Sequence, residues 1–123
     1  MLESYQWVKL KSLLEYAYLK IPYYREVFMS LRATPQDIKS WSDFRKMPYL
    51  TKEIIRQRTN DLVSRDYVDY SKLKYFTTGG STGQPLGFYV LPKYDPISRA
   101  FMYQQWKRVG YRENSKRVIL RGE

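Results

Sequence analysis

Four of the six glycines in this chain fall within residues 79–87, in the run Thr77-Thr78-Gly79-Gly80-Ser81-Thr82-Gly83-Gln84-Pro85-Leu86-Gly87. Neither a helix interior nor a packed strand suits so many residues without a Cβ, so the chain must form a loop here. Its flanks read as strands. Leu73-Lys74-Tyr75-Phe76-Thr77 enters the loop, and Leu86 to Leu91, apolar and aromatic, leaves it. Clustered glycine lets successive backbone N–H groups point into one concavity. The hydroxyls of Thr77, Thr78, Ser81 and Thr82 add donors for phosphate oxygens or a magnesium-bound water. On residue type alone, two readings stand side by side: a Gly/Ser-rich hairpin connection and a phosphate cradle.

Two common phosphate loops do not fit. The Walker A pattern needs Gly-Lys-Ser/Thr, and Gly83 is followed by Gln84. The dinucleotide pattern opens a helix, whereas Gly83 is followed within two residues by Pro85 and then by a strand.

Before the loop the period is helical. Trp7, Leu10, Leu14, Ala17 and Ile21 predict an amphipathic helix over residues 4–20. Pro22 opens a second helix with Tyr24, Val27, Phe28 and Leu31 as its apolar stripe. Thr34-Pro35-Gln36-Asp37 is a capping-box pattern, Ser40 starts a turn through Phe44, and Thr51 caps a helix carrying Ile54 and Ile55. Tyr16, Tyr18, Tyr23 and Tyr24 are expected at core edges. After the loop, Asp95-Pro96 reads as an N-cap and first turn. Ile97, Phe101, Met102, Trp106 and Val109 give the next helix a broad buried face, and Gly110 sits at its C-cap. Arg117 to Leu120 reads as a strand, making residues 86–120 a βαβ unit. Lys93 and Arg99 are expected to face solvent. The strand pattern of Val118-Ile119-Leu120 so near Glu123 suggests the front of something longer.

Two absences limit the chemistry. Without Cys there is no disulfide, thiolate nucleophile or Cys-ligated metal; without His there is no Ser-His-Asp arrangement. The formal charge of +10 invites a polyanion partner, but residues 1–60 and 61–123 each hold 11 basic and 6 acidic residues, with no basic block. No signal peptide or membrane span is legible, so a cytoplasmic protein without membrane or specific nucleic-acid partners is expected.

The run TTGGSTGQPLG resembles the phosphate-binding motif of the adenylate-forming enzymes, the acyl-CoA synthetase superfamily. It is most similar to the branch of phenylacetate–coenzyme A ligase and the CapK-like proteins of polysaccharide biosynthesis. Leu14-Glu15-Tyr16-Ala17-Tyr18, Ile21-Pro22-Tyr23-Tyr24-Arg25, Asp37-Ile38-Lys39-Ser40 and Pro48-Tyr49-Leu50-Thr51-Lys52 resemble that branch in the same order, so the likeness covers nearly the whole chain. Gln84 and Leu86 stand where many relatives carry lysine.

The resemblance implies an α/β fold: a helical segment over residues 1–64, then the start of an AMP-binding domain over 65–123, with the phosphate loop at 77–87. It implies an ATP- and magnesium-dependent ligase that activates a carboxylic acid and passes the acyl group to a thiol such as coenzyme A. Thr78, Gly79, Gly80, Ser81, Thr82 and Gly83 would cradle the β and γ phosphates. In the family the adenine, ribose and metal-associated residues and a catalytic lysine follow this loop, so the chain is expected to be an N-terminal fragment, inactive alone. The alternatives are a small basic module for nucleic acid or another polyanion, and a non-catalytic interaction remnant.

Overall fold

A computed structural model describes residues 2–67, 69–78, 85–112, 115, 116 and 118. Helices dominate the described residues, and the strands form one two-stranded antiparallel sheet, a mixed α/β composition. Contacts divide the chain into two compact units, Met1–Val90 and Leu91–Glu123.

In the first unit, α1 (Leu2–Lys20) and α2 (Pro22–Ser30) form a helical hairpin that breaks at Ile21, with Pro22 in the first helical position. On α1 the expected stripe packs; on α2 Phe28 does, but the helix ends at Ser30, Leu31 beyond it is exposed, and Tyr23, outside the expected stripe, is buried instead. Leu14 and Ala17 on α1 are buried, and Phe28 on α2 is fully buried. Tyr18 meets Phe28 edge to face at 5.5 Å, while Tyr24, from the expected stripe, is only half-buried. Ile38 and Pro35 complete the core from the loop after α2.

That loop is built by local polar chemistry. At the end of α2 the chain passes through Arg32 at φ 51, a left-handed conformation that glycine usually occupies. Two hydrogen bonds fix it, Arg32 N–H to the Met29 carbonyl (3.0 Å) and Ala33 N–H to the Phe28 carbonyl (3.1 Å). Ala33 also packs on the core, so the apolar contact that accompanies such a cap is present. The Asp37 carboxylate then accepts from both the Thr34 N–H (2.8 Å) and the Thr34 hydroxyl (2.7 Å), closing the 3-10 turn Pro35–Asp37. Lys11 of α1 donates to the Pro35 carbonyl and, at 3.1 Å, to that of Ile38. It ties α1 to a turn 24 residues away.

The later caps follow the sequence. Ser40 Oγ accepts from the Asp43 N–H at the start of α3 (Trp41–Phe44), and Thr51 Oγ1 accepts from the Ile54 N–H at the start of α4 (Lys52–Gln57). Three further 3-10 turns, Asn60–Leu62, Arg65–Tyr67 and Tyr70–Lys72, lead to β1 (Lys74–Thr77) and β2 (Gly87–Val90). Two clasps hold this stretch to the helices. Arg58 bridges Glu26 of α2 (2.7 Å) and Asp61 (2.8 Å) and lies 5.3 Å over the Tyr23 ring. Lys20 pairs with Asp66 at 2.6 Å, while the Tyr16 hydroxyl meets Ser64 Oγ at 2.6 Å.

In the second unit, α5 (Tyr94–Arg108) departs from expectation twice. It begins one residue before Asp95, with Lys93 at the cap position, and Asp95 instead pairs with Arg99 at 3.3 Å. Pro96 is tolerated because the first four N–H groups of a helix have no intrahelical acceptor. The anticipated buried face is also absent: α5 has no buried residue, and Ile97, Phe101, Met102 and Val109 are exposed. Its end is as expected. Gly110 adopts φ 89, its N–H donates to the Lys107 carbonyl (3.1 Å), and Tyr111 N–H donates to that of Trp106 (3.0 Å). The expected strand at Arg117–Leu120 falls on Arg117, Ile119 and Leu120, outside the described residues, and Val118 alone is exposed.

Carboxylate chemistry sets the acid limit of stability. Asp43 is lowered to about 2, chiefly by the Ser40 hydroxyl and then by Lys46. Glu26 is held down by Arg58, Asp37 by Thr34, Asp66 by Lys20 and Asp69 by Ser71. A carboxyl group with a lowered folded-state pKa stabilises above its unfolded value and loses that contribution as pH falls through the folded value. Lys20 is raised by Asp66 and Tyr24 by burial, so both contributions disappear as pH rises through their folded values. The melting temperature is therefore expected to be flat from about pH 5 to about pH 9 and to fall on either side. In a scanning calorimetry series, Asp43→Asn should flatten the acid limb between about pH 4 and pH 2. An unaltered limb would exclude the Ser40–Asp43 cap as its source.

Candidate functional site

The glycine run is carried on a hairpin. β1 and β2 pair with Lys74 opposite Val90, Tyr75 opposite Tyr89, Phe76 opposite Phe88 and Thr77 opposite Gly87. Register of this kind fixes which side chains share a face. Tyr75 and Tyr89 stand 5.1 Å apart with tilted rings, and Tyr70 from the preceding turn meets Tyr89 edge to face at 4.9 Å, a three-tyrosine cluster bracing the strands. Phe76 and Phe88 occupy the opposite face.

Beyond the last pair the ladder continues through Thr78. Its N–H donates to the Leu86 carbonyl (2.9 Å), and its hydroxyl oxygen accepts from the Leu86 N–H (3.0 Å). The side chain thus replaces a backbone acceptor and draws Thr78 and Leu86 together as the two posts of the loop. A hydroxyl used as an acceptor keeps its own proton for donation. Of the expected cradle, Thr78 is therefore placed at the mouth of the loop; Gly79, Gly80, Ser81, Thr82 and Gly83 lie outside the described residues.

Gly87 has a separate role that residue type alone did not reveal. A Cβ there would meet the Tyr75 hydroxyl at 1.7 Å and its ring carbon Cζ at 2.4 Å, because the ring lies across the glycine. Tyr75 is itself 58% exposed, so it can swing away at the expense of its contacts with Gly87 and Tyr89. Gly87→Ala should therefore lower stability by only about 0.5–1 kcal/mol, the scale of one cross-strand aromatic contact. The change should appear as a lost ring-current shift at Tyr89 by NMR. A loss above about 2 kcal/mol would mean that the ring cannot move.

Beside the exit strand lies a small apolar cleft of about 230 Å³, lined by Tyr24, Leu50, Ile55, Leu62, Gly87 and Phe88 among others. Tyr24 and Leu50 also line a larger groove of about 370 Å³, formed with Leu13, Ile21, Phe44 and Met47. The Leu50, Ile55 and Phe88 grouping had no sequence signal, since its members come from segments more than 30 residues apart. Lys93 and Arg99 face outward, one beside the Tyr94 ring and the other paired with Asp95. Among the described residues no group of three Asp or Glu side chains is placed to hold a metal ion, and no helix is long and apolar enough to cross a membrane.

No protein-family model matches the chain, and no curated protein is significantly similar to it.

Proposed function

We propose that the chain is the phosphate-holding front portion of an ATP-dependent, carboxylate-activating ligase, related to the phenylacetate–coenzyme A ligase and CapK-like branch. The observation that carries this reading is the Thr78–Leu86 closure, which sets the five small residues Gly79 to Gly83, with Gln84 and Pro85, on a paired stem. A carboxylate is a poor electrophile. Attack of its oxygen on the α-phosphorus of ATP forms an acyl-adenylate and expels pyrophosphate, and a thiol such as coenzyme A can then displace AMP. The work left to the loop is electrostatic: backbone N–H groups of Gly79 to Gly83 and the hydroxyls of Thr78, Ser81 and Thr82 hold charge on the β and γ phosphates. Magnesium bound to the ATP would supply further charge neutralisation, with the hydroxyls of Thr78, Ser81 and Thr82 as the groups able to meet its bound water. Thr78 fits its role because its hydroxyl proton is not used in the stem.

The apolar cleft at Gly87 and Phe88 supports an acid with a non-polar body. The unburied apolar residues of α5 support packing against a further part of a larger ligase. The test uses the protein isolated from its native source, its intact mass measured first. ATP–pyrophosphate exchange is then assayed against aromatic, aliphatic and sugar-linked carboxylic acids. Exchange that depends on one acid class supports the reading; no exchange with any acid overturns it.

A further inference from the structure

Charge is spread evenly along the sequence but not between the packing units. Met1–Val90 holds 14 basic and 9 acidic residues, and Leu91–Glu123 holds 8 basic and 3 acidic. Each unit carries +5, so the smaller one has nearly three times the charge per residue. Four of its six described cations fall at or after the end of α5 in sequence, Lys107 and Arg108 in the last turn, then Arg112 and Lys116. The same corner is aromatic. Tyr103, Trp106 and Tyr111 stand 5.4–5.8 Å from one another, and the backbone bond from Tyr111 to Trp106 locks the chain reversal.

At this corner an open cavity of about 430 Å³ is lined by Lys107, Gly110, Tyr111 and Arg112. Apart from its chain neighbours, nothing lies within 4 Å of the place where a Cβ on Gly110 would stand, so the floor is open. Lys107 and Arg112 are exposed and make no ion pair among the described residues. Helix-dipole stabilisation accounts for Lys107 and Arg108 but not for Arg112 and Lys116, which lie beyond the helix. A ring wall, two cations and an open floor match the chemistry of a base next to its phosphates.

We propose that this corner binds single-stranded nucleic acid, a base stacking on Tyr111 while Lys107 and Arg112 hold the adjacent phosphates. Arg108 and Lys116, both exposed in the same unit, add positive charge beyond what one nucleotide requires, which favours a strand over a mononucleotide. The inference rests on residues separate from the glycine loop and stands whether or not the ligase reading does.

The experiment is fluorescence anisotropy of a labelled oligo(dT) 12-mer with the full chain at several salt concentrations, with variants checked by circular dichroism. Lys107→Gln combined with Arg112→Gln should weaken binding and reduce the log–log salt slope by about 1.4, from two phosphate contacts at roughly 0.7 each. Tyr111→Leu, which keeps an apolar partner for Trp106, should weaken binding at least about fivefold with the slope unchanged, whereas Tyr111→Phe should retain it. Lys46→Gln combined with Lys52→Gln, in the other unit, should change neither quantity. Absence of oligomer binding at low salt would overturn the proposal. So would equal losses from both double variants, indifference to Tyr111→Leu with its helix intact, or dTMP binding as tightly as the oligomer.

Discussion

Phe28→Ala is expected to unfold the first unit or leave it barely folded at 25 °C. Phe28 is fully buried, and the rest of the buried core is small: Leu14, Ala17, Tyr23, Pro35 and Ile38. Removing a buried phenyl ring costs about 3–5 kcal/mol in lost transfer energy and in the cavity left behind. A small domain has only about 5 kcal/mol or little more to lose. The ring also supports structure beyond itself. Tyr18 packs edge to face on it, and the Phe28 carbonyl accepts the Ala33 N–H that holds Arg32 in its left-handed conformation. Loss of the ring should loosen that cap and, through it, the Pro35–Asp37 turn gripped by Lys11. Phe28→Leu, which keeps most of the volume, should cost roughly 1.5 kcal/mol or less. Urea denaturation followed by circular dichroism separates the cases. Equal midpoints for Phe28→Ala and the native chain would mean that the core lies elsewhere.

What could be read from the sequence was what local chemistry decides. Pro22, Ser40, Thr51 and Gly110 marked helix boundaries because each acts through backbone groups within one turn of itself. The strands around the glycine run followed from residue type, and a hairpin connection was one of the two readings that residue type left open. Lys11 gave no signal, since its acceptors at Pro35 and Ile38 lie 24 and 27 residues away. Arg32 was equally silent: nothing about arginine announces a positive φ, and only the packing of Ala33 and Phe28 requires it there. For α5, periodicity revealed an apolar stripe but not what covers it, because period measures the spacing of apolar residues and burial depends on a neighbour. The aromatic, basic corner after α5 was missed for a related reason. The two halves of the sequence carry equal charge, while the field at a surface depends on which residues pack in one unit.

Gly80→Val should abolish acid-dependent pyrophosphate exchange in the native protein if the glycine run holds phosphate. Gly80 lies outside the described residues, and its expected part follows from residue type. A backbone N–H can reach a phosphate oxygen at hydrogen-bond distance only where no side chain intervenes, and an isopropyl group on the neighbouring Cα displaces the anion. Loss of one oriented donor in a comparable anion-stabilising site lowers turnover by about 100- to 1000-fold. Thr78→Val tests the post beside it. It removes both the acceptor for the Leu86 N–H and the hydroxyl proton proposed to meet phosphate, with a smaller loss of about tenfold expected. Gly87→Ala, which displaces the Tyr75 ring and borders the apolar cleft, should at saturating acid lower exchange less than Thr78→Val does. The order Gly80→Val below Thr78→Val below Gly87→Ala would come from phosphate contact and not from general damage to the hairpin, because the stem residue with the tightest steric fit would then matter least. Native exchange in Gly80→Val would take the loop out of the mechanism, and the stem's hydrogen bonds would then be those of an ordinary hairpin.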